Sequence, residues 1–520
     1  MRVYAVQGAP PEIQAYGLAK YSRSAQSLEE SIDELSTQRA EQFLNTFYFQ
    51  YGHASIADLA HVTLALENIS MLAAFHVVDE PLWDGQGRSS RYQNFRESGF
   101  YIPPEVEGTP ELASYQEALE HALGQYERFS AELTHVLKAV IEQPEGMTAA
   151  TYNRKLRARA FDVARYFLPL ATLTSNGQVT SARTLERQIS RLAGSPLPEL
   201  RAISTAMKEA CQTPGYNFVA RKLEAALPGE GLTGEQVEAR RQALSEAGVI
   251  DAGAVPTLVK YTAPDTYEPE TLAAARELLQ PYFDGLDDVP DTQSAVLIPP
   301  ETDLLDALSV ELLYLTDTRG RRYDQLLPVA QAMPEEVKRR LFELTMAKRG
   351  PHNDWLRMHR LGYALGFDLL VDFGALRDLH RHRRCVQILP DLNLHLGCDD
   401  ARTIFIAALG QRGAALAEER GLIAAFDEGM RGSIARARSF PQRDLAGHYL
   451  LPLGARQRAL FKMDLAEAAY MIEQRSRVGG HFSYRRVAYK MYQQVSERYP
   501  WVASSIRASN PAEEDDPLAR

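Results

Sequence analysis

The sequence predicts a helix-rich fold built twice along one chain. Two observations carry that expectation. Long stretches show helical periodicity, and a short Leu-Pro element recurs in similar surroundings in both halves. A third observation, the strand-like alternation of MRVYAV at residues 1–6, adds a β component.

Taken in order, residues 27–78 carry a mostly helical pattern, and the polar, Gly-containing stretch 79–99 reads as loop. FYIPPE (100–105) leaves that loop, and helical periodicity resumes over 110–142. Residues 152–168 form a strongly basic helix running into Pro169. A helix follows Pro198, with Leu200, Ile203, Met207 and Ala210 on one face. In the second half, 334–380 is helix-rich, 381–400 is a basic-to-polar junction, and a helical region precedes HYLLP (448–452). A last helix carries Tyr484, Ala488, Met491 and Val495 on one face. The elements ARYFLPL (164–170) and GHYLLPL (447–453) lie 283 residues apart, and the junctions at His53 and His352 lie 299 apart. The expected division is a first repeat at 1–228, a connecting segment rich in Gly, Pro, Asp and Glu at 229–295, a second repeat at 296–509, and an acidic tail at 510–520.

Of the 520 residues 45% are apolar, enough for a sizeable core and too many for wholesale disorder. The net charge of −11 argues against general nucleic-acid binding. Three cysteines with no C-x-x-C pair exclude a disulfide scaffold, and no residue cluster resembles a zinc site. The first residues lack the pattern of a signal peptide, and no apolar run approaches the ~18 residues a membrane span needs. The expected location is cytoplasmic.

Three constellations could carry chemistry. RHRR at 381–384 offers forked donors suited to phosphate oxygens, although alone it reads as a solvated helix end. GRSSRYQNF (87–95) combines small residues with hydroxyls and Arg91, a composition that lets backbone approach a phosphate. The arginines Arg165, Arg183 and Arg475 sit around the two Leu-Pro elements, and each could equally be an ordinary surface arginine. The chain has no Walker loop, H-E-x-x-H or Ser elbow, and its cysteines lack a persuasive catalytic setting.

These residues, in this order, resemble the flavin-dependent thymidylate synthases, the ThyX family. The family signature is R-H-R followed by S-x-R-Y, then R-x-x-L-P, then a helix with N-x-R and a further arginine. The first half keeps His53-Ala54-Ser55, Ser89-Ser90-Arg91-Tyr92, Arg165 and Ser181-Ala182-Arg183, but has Asp79-Glu80-Pro81 at the R-H-R offset and Leu192, beside Arg191, at the last arginine. The second half keeps Arg381-His382-Arg383 and Arg475, but has Asp391-Leu392-Asn393-Leu394 at S-x-R-Y, His448 for the R-x-x-L-P arginine and Asp464-Leu465-Ala466 for N-x-R. The losses are complementary. Gly87 stands where the family has Glu, Asp378 where it has Gln, and Ser181 where it has Asn.

The resemblance implies an α+β fold, each repeat a small, mostly antiparallel sheet flanked by long helices. It implies conversion of dUMP to dTMP with FAD, methylenetetrahydrofolate and NADPH, in a composite site drawn from both repeats. A homodimer would rebuild a pseudo-tetramer. Arg475 would be catalytic, facing the uracil. Ser89, Ser90, Arg91, Arg165 and Arg381 would bind dUMP, and His53, Ser55, Arg183, Arg381, His382 and Arg383 would line the FAD. Two other readings stay open: a non-catalytic paralogue that binds a nucleotide or flavin, and an RNA-binding protein using the basic helices.

Overall fold

The computed structural model describes residues 8–21, 56–91, 95, 97–217, 221–223, 231–246 and most of 254–518, leaving out 256–257, 260–261, 284–285, 287–292, 299–302, 349–355, 357, 359–364, 442–444, 504–505 and 514–517. The strand expected at 1–6, the helical reading of 27–55, His53, Ser55 and His352 lie outside the described residues. The fold is α+β and helix-rich with small antiparallel sheets.

The chain partitions into two compact units, each discontinuous in sequence. The first comprises residues 1–67, 76–87 and 175–266. Its sheet has the order β1 (His61–Ser70), β3 (Leu173–Ser181), β2 (Asp84–Gly87), with β2 antiparallel to β3 and Asp84 opposite Val179. Here the helical reading of 27–78 is corrected. Residues 61–70 form a strand whose Val62, Leu64 and Leu66 are buried at period two, and among the described residues of that stretch the α-helix is Met71–Val77. The loop read at 79–99 likewise contains β2.

The second unit comprises residues 68–75, 88–174 and 267–520. Its sheet has the order β4 (Ala295–Leu297), β5 (Leu365–Asp372), β7 (Arg456–Met463), β6 (Val386–Ile388), all antiparallel. The helix-rich reading of 334–380 is corrected here. Helix stops at Ala347, and every residue of β5 is buried, so its run carries no period to distinguish strand from helix. Opposite Phe367 stands Phe461, and the helices Tyr267–Phe283 and Leu304–Thr316 contribute to the core alongside Leu460.

The repeat is visible in the backbone. Helix Met71–Val77 follows β1, with Ser70 Oγ accepting from Ala73 N at 2.9 Å; helix Phe373–Leu379 follows β5, with Asp372 Oδ1 accepting from Ala375 N at 2.8 Å. Met71 and Leu72 donate to the carbonyls of Thr172 and Leu170, while Phe373 and Gly374 donate to those of Ala455 and Leu453. The acceptors differ by 283 in number, the spacing of the Leu-Pro elements. Gly99 and Gly397 both hold positive φ (75° and 65°) and accept from Leu173 N and Arg456 N.

The two Leu-Pro elements pair with each other. Pro169 and Pro452 form an antiparallel bridge. Leu170 N donates to Leu451 O and Leu453 N to Leu168 O, each at 2.9 Å; Ala171 N donates to Tyr449 O and Gly454 N to Tyr166 O. Each bond has its mate with the repeats exchanged, the mark of a local pseudo-twofold axis. An aromatic cluster lies beside it, with Phe426 edge-on to Phe129, Phe167 and Phe405 at 5.0–5.4 Å. Phe426→Ala should cost about 3–5 kcal/mol, read as a lower midpoint in denaturant.

Candidate functional site

The site is assembled in the second unit from segments distant in sequence. Arg91 sits one residue after Ser90 in the Ser-rich loop, with its backbone N–H donating to Ser89 Oγ at 3.3 Å. Its side chain is largely buried. Nε donates to Asp162 Oδ1 at 3.0 Å, Nη1 to Tyr484 Oη at 3.1 Å and Nη2 to Gly479 O at 3.2 Å. Asp162 comes from helix Ala149–Ala164, capped by Thr148, and Tyr484 from helix Phe482–Arg498. Burying a guanidinium is costly unless its charge and donors are met, and Arg91 meets that condition.

Arg165 does not. It follows helix Ala149–Ala164 and is 2% exposed. Nη1 donates to Ser90 Oγ at 3.3 Å, yet Nε and Nη2 are buried with no hydrogen-bond partner. The nearest carboxylate oxygen, Asp378 Oδ2, is 3.9 Å from Nη2, beyond hydrogen-bonding distance. Arg377 Nη1 lies 3.5 Å from Met71 Sδ. Burial lowers the Arg377 pKa to about 10; Asp378 opposes the shift and the charges of Arg165 and Arg381 add to it. This corner therefore concentrates positive charge, with donors open to an acceptor-rich anion.

From the second repeat, Arg475 Nε donates to His382 Nε2 at 2.8 Å, and His382 Nδ1 lies 3.1 Å from Glu467 Oε1. The Arg475 guanidinium carbon lies 5.5 Å from the centre of the Tyr484 ring, and that of Arg91 lies 5.9 Å from it. Tyr484 thus joins the arginine kept by the first repeat to the one kept by the second. Arg381 is exposed and Arg383 half-buried on the turn after helix Phe373–Leu379.

Arg183 lies in the first unit, exposed and paired with Asp58 at 3.0 Å. In the same unit Glu80, at the place His382 holds in the second repeat, is buried and accepts from Arg191 at 2.8 Å and Arg187 at 3.0 Å. Cys385 is buried and its thiol is pushed up to about 12 by burial, which suits a packing role. Among the described residues no cluster of His, Cys, Asp or Glu could hold a metal ion, and no helix is long and apolar enough to cross a membrane.

Sequence reasoning missed four contributors. Tyr484 was legible only as a core position on its helix, and Asp162 sat inside a run of basic residues. Glu467 follows the altered N-x-R element directly. Asp372, at the end of β5, accepts from Tyr166 Oη at 3.1 Å and from Ser483 Oγ; burial raises its pKa, against the Arg165 charge.

His481 links the same elements: its ring stacks on Phe482, Nε2 lies 3.0 Å from Asp162 O, and Nδ1 accepts from Ser483 N. Burial, reinforced by the charges of Arg165, Arg91, Arg159 and Arg486, holds its pKa well below the ordinary 6.5. Below about pH 6.5 the unfolded chain binds a proton that the folded chain refuses, so stability falls as pH falls through that value. His481→Asn should flatten the acid side of a stability-against-pH curve between pH about 5 and 7.

Residues 6–213 match the family model for the thymidylate synthase complementing protein. The UPF0159 protein of Chlamydia muridarum is 24% identical over 99% of this chain and 93% of its own length. A flavin-dependent thymidylate synthase of Clostridium tetani is 27% identical over 34% of this chain and 67% of its own. The structure of the Helicobacter pylori flavin-dependent thymidylate synthase ThyX, complexed with FAD and dUMP, aligns at 16% identity and a TM-score of 0.24 over 39% of this chain and 89% of that one.

Proposed function

We propose that this two-copy ThyX-like protein is a flavin-dependent methyltransferase, converting dUMP to dTMP with methylenetetrahydrofolate and NADPH in one composite site per chain. The observation that carries the reading is Arg165, a buried guanidinium with two partnerless nitrogens beside Ser90. A phosphate supplies the acceptors those donors lack. Ser89, Ser90, Arg91, Arg165 and Arg381 bind dUMP in this reading. Arg91, already held by Asp162, keeps the loop in register while Arg165 gains its partners from the ligand.

Arg475 takes the catalytic role. Its forked donors face negative charge developing on the pyrimidine, and such charge is best stabilised by donors fixed beforehand. His382 fixes it through Nε, and among the described residues its Nη groups carry no hydrogen bond. FAD, when bound, supplies the hydride chemistry. Arg381, His382 and Arg383 would hold it in this reading; arginine donors of this kind match a pyrophosphate. The homodimer that rebuilds a pseudo-tetramer and the cytoplasmic location belong to the same proposal.

A second reading, a non-catalytic nucleotide- or flavin-binding paralogue, is favoured by one feature. Asp378 puts a carboxylate near Arg165, where it opposes a dianion. A visible absorption spectrum of the protein supplied with FAD, repeated after dUMP, separates the cases. A flavin spectrum perturbed by dUMP, followed by NADPH-dependent dTMP formation, is the expected result. Perturbation without turnover selects the paralogue, and failure to take up FAD or respond to dUMP defeats both. Arg475→Ala should lower turnover by on the order of 100-fold or more while leaving bound flavin in place.

A further inference from the structure

We infer that Glu467 is a positioning residue that fixes the protonated nitrogen of His382 and, through it, the guanidinium of Arg475. The argument runs along two contacts. Arg475 Nε is a donor with no lone pair to offer, so the His382 Nε2 it meets at 2.8 Å must be bare. In a neutral imidazole the hydrogen then sits on Nδ1, which faces Glu467 Oε1 at 3.1 Å. Histidine and carboxylate are both buried, and Glu467 N donates to Asp464 Oδ1 at 2.8 Å, which fixes the first turn of its helix, Leu465–Ser476.

The first repeat supplies the contrast. Glu80 occupies the place of His382 and meets Arg191 and Arg187 directly, with no imidazole between acid and base. In the second repeat the acid has moved one step away. The arginine is therefore held by a neutral ring nitrogen and keeps its full charge toward a ligand.

Glu467, Tyr470 and Arg475 face the His382 ring from Leu465–Ser476, Arg383 lies in its own turn, and Tyr484 of Phe482–Arg498 reaches it through Arg475. Burial lowers the His382 pKa, Glu467 opposes the shift, and the charges of Arg475 and Arg383 add to it, so the ring is neutral at pH 7.

The consequence for turnover rests on the function proposed above, but the positioning itself does not. The test is an NMR spectrum of ring nitrogens in the full chain with labelled histidine, His382 being the signal lost in His382→Gln. The wild type should carry the hydrogen on Nδ1. Arg475→Ala, which removes the donor at Nε2, should leave it on Nδ1, since the carboxylate alone then sets it. Added to that variant, Glu467→Ala should move it to Nε2, and Glu467→Gln, which still offers an acceptor, should keep it on Nδ1; Arg475→Ala alone decides the matter if the double variant does not fold. A wild-type His382 protonated on Nε2, a switch in Arg475→Ala, or a double variant Arg475→Ala/Glu467→Ala with the hydrogen still on Nδ1 would overturn the inference. In turnover, Glu467→Ala should lower kcat at least about tenfold with Glu467→Gln near wild type; equal rates in the two variants would overturn it. A tautomer switch in a chain that forms no dTMP defeats the reaction proposed and leaves the positioning standing.

Discussion

The pairing of Pro169 with Pro452 is the constraint on which the rest of the site depends. Proline cannot donate to a ladder, so the bonds that hold the two elements together come from the residues on either side. Leu170 and Leu453 exchange bonds with Leu451 and Leu168, and the outer pair from Ala171 and Gly454 closes the set. Arg165 lies four residues before Pro169, and β7 begins four residues after Pro452. Shifting this pairing by one residue would alter both the position of Arg165 and the path of β7, which leads into the helix carrying Glu467 and Arg475.

Charge is distributed unevenly over this frame. Arg91, Arg458 and Lys462 are all buried and all answered, by Asp162, Asp368 and Glu311. Arg165 is as deeply buried and keeps two nitrogens without partners. A buried donor of that kind is a local instability held by the surrounding packing, and such places are where function resides. The second unit thus separates the charges that hold its sheet and helices together from the charge it leaves open.

Much of this was legible in the residues. The Leu-Pro elements announced the duplication, and the complementary losses named Ser90, Arg91, Arg165, His382 and Arg475 together. What stayed hidden has physical reasons. β5 is buried on both faces, so alternation vanished from its sequence, and β1 shares its apolar residues with a pattern that also fits a helix. Asp162, Glu467 and Tyr484 act through partners 71 to 393 residues away, and no local spacing encodes a contact of that range.

The joined Leu-Pro elements also change how such a site comes into being. When its two sides belong to separate molecules, every encounter carries the cost of lost translational and rotational freedom, and dilution dissolves the site. Here Arg165 and Arg475 are carried on one polypeptide, and the strand pairing between their segments forms within it. Their meeting is governed by an effective concentration built into the chain, independent of how much protein a cell holds.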